Sequence, residues 1–195
     1  NNYQNMKCCR KELTNPEIID GTAYFVCPDC GDVFEVQNYR VYTNEEALSY
    51  FKEMYGFTLP REYVKLSESE ETKVVELPHC ENEPLKYYFG EGFYEIGTFL
   101  SVNPNSEKSI YNSISSGRDW GLPKTYIPLE GDGHTWLALD YSNSLTDPKV
   151  IVTETDNGNS LVLAHTFAEF LSSRLQYEEV YDLEGNVTRP AECSG

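Results

Sequence analysis

The chain has 195 residues, a formal net charge of −17 and a pI near 4.5. Hydrophobic residues at 39% and aromatics at 13% suffice for a packed core and exclude a disordered chain. So acidic a surface repels nucleic acid and anionic membrane and attracts basic proteins, and no stretch approaches the ~20 apolar residues needed to span a bilayer.

Residues 1–42 hold four of the six cysteines. No N-terminal apolar stretch reads as a secretory signal, so the thiols are expected to be reduced or metal-bound and the compartment cytoplasmic. "TNEE" from Thr43 is a capping box. Ala47, Leu48, Phe51, Met54 and Tyr55 follow at helical spacing, and Gly56 supplies the left-handed stop. Pro60 suits the first turn of a short second helix carrying Tyr63, Val64 and Leu66. "SESEET" (Ser67 to Thr72) reads as a solvated loop, Lys73 to Leu77 as a strand and "PHCENEPLKYYFGEG" mostly as loop. Phe93 to Val102 is the next strand, where Gly97 suggests a bulge or a close backbone approach.

A helix is expected from about Ser106, with Ile110 and Ile114 on one face. "TYIPL" is extended before Pro128. Three strands then follow: Thr135 to Tyr141, Val150 to Thr155 and Ser160 to Ala164. The last two form a hairpin if Asn157-Gly158 supplies the positive-φ residues. A second capping box, "TFAE" from Thr166, opens a helix whose stripe is Phe167, Phe170, Leu171 and Leu175. Residues 176–195 read as an acidic tail with a "DLEGNV" turn. The short connections favour antiparallel neighbours. The fold class is therefore α+β, a mainly antiparallel sheet packed with helices, plus a small N-terminal β segment.

That segment carries "CPDCG" (Cys27 to Gly31), the pattern of a zinc knuckle: two thiolates two residues apart, turned back by Pro28 and Gly31, with following N–H groups available to sulfur. "TAYFV" before it and "DVFEV" after it read as short strands of a zinc ribbon. The second CxxC of a full ribbon is replaced by Cys8-Cys9. Adjacent residues of an extended chain point to opposite sides, so both can bind one ion only where the backbone bends sharply. Three completions stay open: a structural zinc held by Cys8, Cys9, Cys27 and Cys30; a zinc held by one of the first pair together with His79 or Cys80; or an empty or Cys27–Cys30 disulfide site.

The order of the remaining pieces carries a resemblance. Gly56, Leu59-Pro60 and Tyr63, then "SIYNSI", "LPKTYIPLEGDGHTWLALDYS", "KVIVTET" and "TFAEFL" together resemble the SUKH superfamily, which contains a fungal cell-wall-synthesis regulator and many bacterial toxin-immunity proteins. The resemblance runs from about Thr43 to Leu175. It divides the chain into a zinc-ribbon-like segment (1–42), a SUKH-like domain (43–175) and the tail (176–195). It implies action by protein–protein binding: an immunity protein that neutralises a cognate bacterial toxin, such as a basic nuclease domain, by occluding its active surface, or alternatively a regulatory interaction module. The acidic "SESEET" loop and the cysteine-bearing extension depart from the minimal domain.

No G-x-S-x-G, Walker loop, H-E-x-x-H or dinucleotide fingerprint occurs, and "TETDNGN" lacks the ligand spacing of an EF-hand. Asp132 beside His134 could suggest an acid–base pair, but "GDG" reads better as a turn. The expectation is a binding protein and not an enzyme. Aromatic anchors beside carboxylates suit a basic partner. Trp120, Tyr126, Asp132, His134, Trp136, Glu154 and Asp156 are the expected contact residues.

Overall fold

The computed structural model describes residues 6–14, 16–20, 22–37, 39–67, 70–78, 85, 88–89, 92–106 and 108–189. It is α+β with antiparallel sheets. The N-terminal segment opens with a hairpin of β1 (Met6–Cys8) and β2 (Lys11–Leu13). A three-stranded sheet of β3 (Glu17–Ile19), β4 (Thr22–Val26) and β5 (Val33–Glu35) follows. Strands β4 and β5 are the two expected around the knuckle. Leu13, Ala23, Phe25, Cys27 and Val36 form this segment's small core.

Helix α1 (Asn44–Tyr55) starts at the complete Thr43/Glu46 capping box and stops at Gly56, whose φ of 78° needs no Cβ penalty and whose N–H donates to the Lys52 carbonyl. Helix α2 (Arg61–Leu66) follows Pro60. Strand β6 (Glu70–Glu76) begins three residues earlier than the expected strand, so part of the "SESEET" loop belongs to it; it pairs with β7 (Phe93–Thr98), which ends before Leu100. Helix α3 (Ile110–Asp119) begins later than expected because the Ser109 hydroxyl caps it by accepting the Asn112 N–H.

The main sheet is β8 (Tyr126–Gly131), β9 (Thr135–Asp140), β10 (Lys149–Glu154) and β11 (Ser160–Ala164), antiparallel throughout and in spatial order β11-β10-β9-β8. Pro128 can sit in β8 because that strand is an edge and the register slips beside it. Strands β9 and β10 are covered on both faces, which is why "WLAL" and "VIVTE" read as unbroken buried runs.

Phe51, Leu59, Tyr63, Ile110, Ile127, Leu129, Leu137, Leu139 and Phe170 are among the residues joining this sheet to its helices. Two buried tyrosines tie the loops down: Tyr63 donates to the Leu100 carbonyl and Tyr141 to the Thr58 carbonyl, both at 2.8 Å. Helix α4 (Phe167–Ser173) keeps half of its expected box. The Thr166 hydroxyl accepts the Glu169 N–H, but the Glu169 carboxylate takes the N–H of His165.

The stretch after α4 differs from the acidic tail expected. Strand β12 (Leu175–Gln176) pairs with β6, and helix α5 (Tyr177–Val180) follows. Val180 and Tyr181 are buried with Val74 and Phe93 in a separate cluster. The sheet β12-β6-β7 has a second apolar face, and these two side chains cover it. Val180→Ala should therefore cost about 2 kcal/mol, read as a lower urea midpoint at unchanged slope. Leu183→Ser, at a fully exposed position, should leave the midpoint in place; equal effects would reduce the stretch to a tail.

Candidate protein-binding surface and cysteine cluster

Two turns stand side by side at one end of the main sheet. The Thr155 N–H donates to the His134 carbonyl at 2.9 Å, and the Thr155 hydroxyl donates to the Gly133 carbonyl at 2.9 Å. Within the β8–β9 turn, Asp132 Oδ1 accepts the N–H of His134 at 3.0 Å and that of Thr135 at 2.7 Å, the side-chain-to-backbone pattern of an Asx turn. Burial pushes the Asp132 carboxyl up, but these bonds and the Thr135 hydroxyl outweigh it and hold it below its ordinary value.

Gly133 has φ of +100°, and a Cβ there would lie 2.7 Å from the Trp120 ring. The indole at the end of α3 therefore rests over the turn, its centroid 5.1 Å from the His134 ring. His134 Nδ1 lies 3.3 Å from Asp156 Oδ1, and the other Asp156 oxygen accepts the Tyr88 hydroxyl. The Tyr88 bond first, then His134, hold the Asp156 carboxyl below its ordinary value. Trp120 is 48% exposed, with His134 and Asp156 half exposed beside it. Thus the structure brings Trp120, Asp132, His134 and Asp156 of the expected contact residues together. Tyr88, 68 positions away from Asp156, was not singled out; its run "YYFGEGFY" marks it only as one of several tyrosines beside acids.

Three of the expected contact residues have other places. Trp136 is 3% exposed and its indole N–H donates to the Gly133 carbonyl. It is a prop beneath the turn, so tightly seated that a Cβ on Gly131 would fall 2.3 Å from its ring. Glu154 is fully buried. Its Oε2 accepts the Asn157 N–H at 2.8 Å, and its Oε1 accepts the Asn159 N–H at 2.9 Å and the Asn159 side-chain amide at 2.6 Å. Burial raises its pKa, but these donors prevail and lower it. This carboxylate organises the β10–β11 turn, in which only Gly158 takes positive φ and Asn157 does not, so the expected Asn-Gly pattern is replaced. Tyr126 lies at the opposite end of β8, paired with Asp140. The Asp132–His134 acid–base pair is not assembled either, since Asp132 is engaged with backbone and the His134 ring meets Asp156.

In the N-terminal segment the sharp bend that Cys8 and Cys9 require is present. Cys9 and Arg10 form the two-residue loop between β1 and β2, with φ of 49° and 66°, the signs of a type I′ hairpin turn. Neither is glycine, so the backbone carries local strain at a ligand position. Cys8 Sγ lies 3.9 Å from Cys9 Sγ and 3.5 Å from Cys30 Sγ, and the four sulfurs of Cys8, Cys9, Cys27 and Cys30 all fall within 4.8 Å of one another. A tetrahedral zinc with ~2.3 Å bonds sets its sulfurs about 3.8 Å apart.

The knuckle is closed by the Gly31 N–H donating to the Cys27 carbonyl at 2.9 Å. The N–H groups of Cys30 and Asp29 bond the Cys27 sulfur and bring that thiol down to about 7. The donor set and spacing fit a metal ion. His79 and Cys80, the other candidates for a fourth ligand, lie outside the described residues, as does Cys193.

Compared with known proteins, the chain matches the family model of the SMI1 / KNR4 family (SUKH-1) over residues 42–173. The chain belongs to this family, and the matched block is the one whose motif order carries the resemblance. No curated protein and no solved structure matches it. No helix among the described residues is long and apolar enough to cross a membrane.

The buried carboxylate gives a pH test. Glu154 has a folded pKa below its ordinary 4.5, so its charge stabilises the fold above that pH, and the contribution fades as pH falls through the lower folded value. Glu154→Gln should cost about 2 kcal/mol at pH 7. The gap from the wild type, followed by denaturant midpoints, should close as the solution is acidified; a gap constant with pH would contradict this account.

Proposed function

We propose that this protein is an immunity protein. It binds a cognate bacterial toxin, a basic nuclease domain, and covers the surface that domain uses on its substrate. The observation that carries the reading is the exposed group of Trp120, His134 and Asp156, backed by the half-buried Tyr88, on a chain of net charge −17. Trp120 supplies rigid contact area, and the carboxylates of Asp132 and Asp156 stand where substrate phosphates would otherwise meet the toxin's basic residues. The role is one of binding and not of catalysis: Asp132 is spent on holding its turn. The cytoplasm is where such a partner would be met.

A second reading, a regulatory module of the cell-wall type, is favoured by the cysteine-bearing segment, which would give the chain another contact site. Co-expression with the toxin encoded beside it separates the two. Rescue of growth and co-purification support the immunity reading, and their failure returns the protein to the regulatory one. In the complex, Trp120→Ala should weaken binding by roughly 30-fold. Asp156→Lys should slow association and reduce its salt dependence.

We further infer that Cys8, Cys9, Cys27 and Cys30 hold one structural zinc. The core of five buried residues among those described in the segment is too small to fold it alone, and a closed four-thiolate site would supply what is missing. Metal analysis of protein purified without chelator should find one zinc per chain. Cys27→Ser should lose it and make residues 6–40 sensitive to protease while leaving the melting of the main domain in place.

A further inference from the structure

A groove of about 500 Å³ opens beside the contact face, between the β6–β7 sheet and the β8–β9 turn. Tyr94, Ile96, Gly97, Glu130, Asp132 and Tyr177 are among its lining. Gly97 keeps it open, since a Cβ there would come 3.2 Å from Glu130 Oε2, while at Gly131 the space a Cβ would take is already filled by the Trp136 ring. At its centre lies the half-buried Glu130 carboxylate. Oε2 accepts the Gly97 N–H at 3.0 Å, and the Tyr94 hydroxyl also bonds the carboxylate. Burial raises the Glu130 pKa in spite of both bonds: the two donors do not fully replace the water the carboxylate has lost. Among the described lining residues the acids Glu95, Glu130 and Asp132 face a single cation, Lys73.

We propose that this groove receives an arginine side chain of the protein partner. Its guanidinium would meet Glu130, and its aliphatic stem would lie between the rings of Tyr94 and Tyr177. A planar, permanently charged fork can approach a carboxylate that already holds two donors and can stack on an aromatic face, which a compact ammonium does less well. Asp132 belongs both to this groove and to the turn under Trp120, so the arginine seat continues the proposed contact face and rests on that reading. Here the carboxylate that is costly to leave unpaired becomes an anchor once covered.

The test uses the full chain, labelled with ¹³C and ¹⁵N, in 150 mM NaCl. It is titrated with Nα-acetyl-L-arginine methylamide and, separately, with the citrulline counterpart, which has the same shape without the charge. Saturable shifts should gather on the amides of Gly97, Gly131 and Thr135. They should be absent with citrulline and need at least tenfold more ligand in Glu130→Gln. The wild-type carboxylate gives a second readout that does not depend on the variant folding. The ¹³C titration midpoint of Glu130 should fall by about one pH unit at saturation, the linkage counterpart of a tenfold affinity change. Shifts scattered over the whole acidic surface, an equal response to citrulline, or an unmoved Glu130 midpoint would each overturn the seat. An arginine that binds in the groove while no toxin is rescued removes the immunity reading and leaves the seat. Rescue with no arginine shift does the reverse.

Discussion

Glu154 is the one charged side chain among the described residues that the fold buries completely, and its two oxygens are taken by the N–H groups of Asn157 and Asn159 and the Asn159 amide. A buried carboxylate left without such donors would cost several kcal/mol. The β10–β11 turn must therefore wrap around it. That wrapping sets Asp156 next to His134, and the Thr155 bonds to the Gly133 and His134 carbonyls lock this turn to its neighbour. Trp136 supports the neighbouring turn from inside and Trp120 covers it from outside, with Gly131 and Gly133 bare because rings occupy the space of their side chains. The exposed group is thus an outcome of buried chemistry: the turns that carry it are held from inside by Glu154 and Trp136.

Much of this fold is legible in the chain itself where the signal is local. The Thr43/Glu46 box, the Gly56 stop and the unbroken apolar runs of β9 and β10 each follow from short-range rules: capping, positive φ, burial on both faces. The nearness of Trp120, Asp132, His134 and Asp156 is not of this kind: it depends on the β9–β10 pairing and on the seating of Trp120 over the turn. What escapes is non-local. Glu154 and Trp136 look like surface candidates by type, and only the count of donors around one and the ring packing of the other assign them inside. Val180 and Tyr181 lie in an acidic stretch, and they matter because β6 and β7 have a second face to cover. Tyr88 bonds a residue far along the chain, and no spacing rule reaches that far.

The two parts of the chain solve the stability problem differently. Residues 42–173, the SUKH-1 block, draw on an apolar cluster that runs through the helices and the main sheet. The N-terminal segment buries five of its described residues and brings four thiols within 4.8 Å of one another. The strained loop at Cys9 and Arg10 makes sense in that setting. Left-handed backbone at non-glycine residues persists only where its surroundings over-determine it, and a metal held by the four sulfurs, as proposed, would be such a constraint.

Charge is divided as unevenly as packing. Residues 1–42 carry four basic and six acidic side chains, whereas the rest carries eleven and twenty-six. Long-range attraction for positive charge therefore originates mainly beyond residue 42. At physiological salt that attraction fades beyond about 8 Å, so it can speed and orient an encounter without choosing among basic partners. Selection has to come from contacts inside that distance. Under the proposed function, those contacts would be the half-exposed indole, the Asp–His pair and the carboxylate in the groove, all within or beside one pair of turns. A partner that presented positive charge without a surface shaped to that relief would meet the field and leave again.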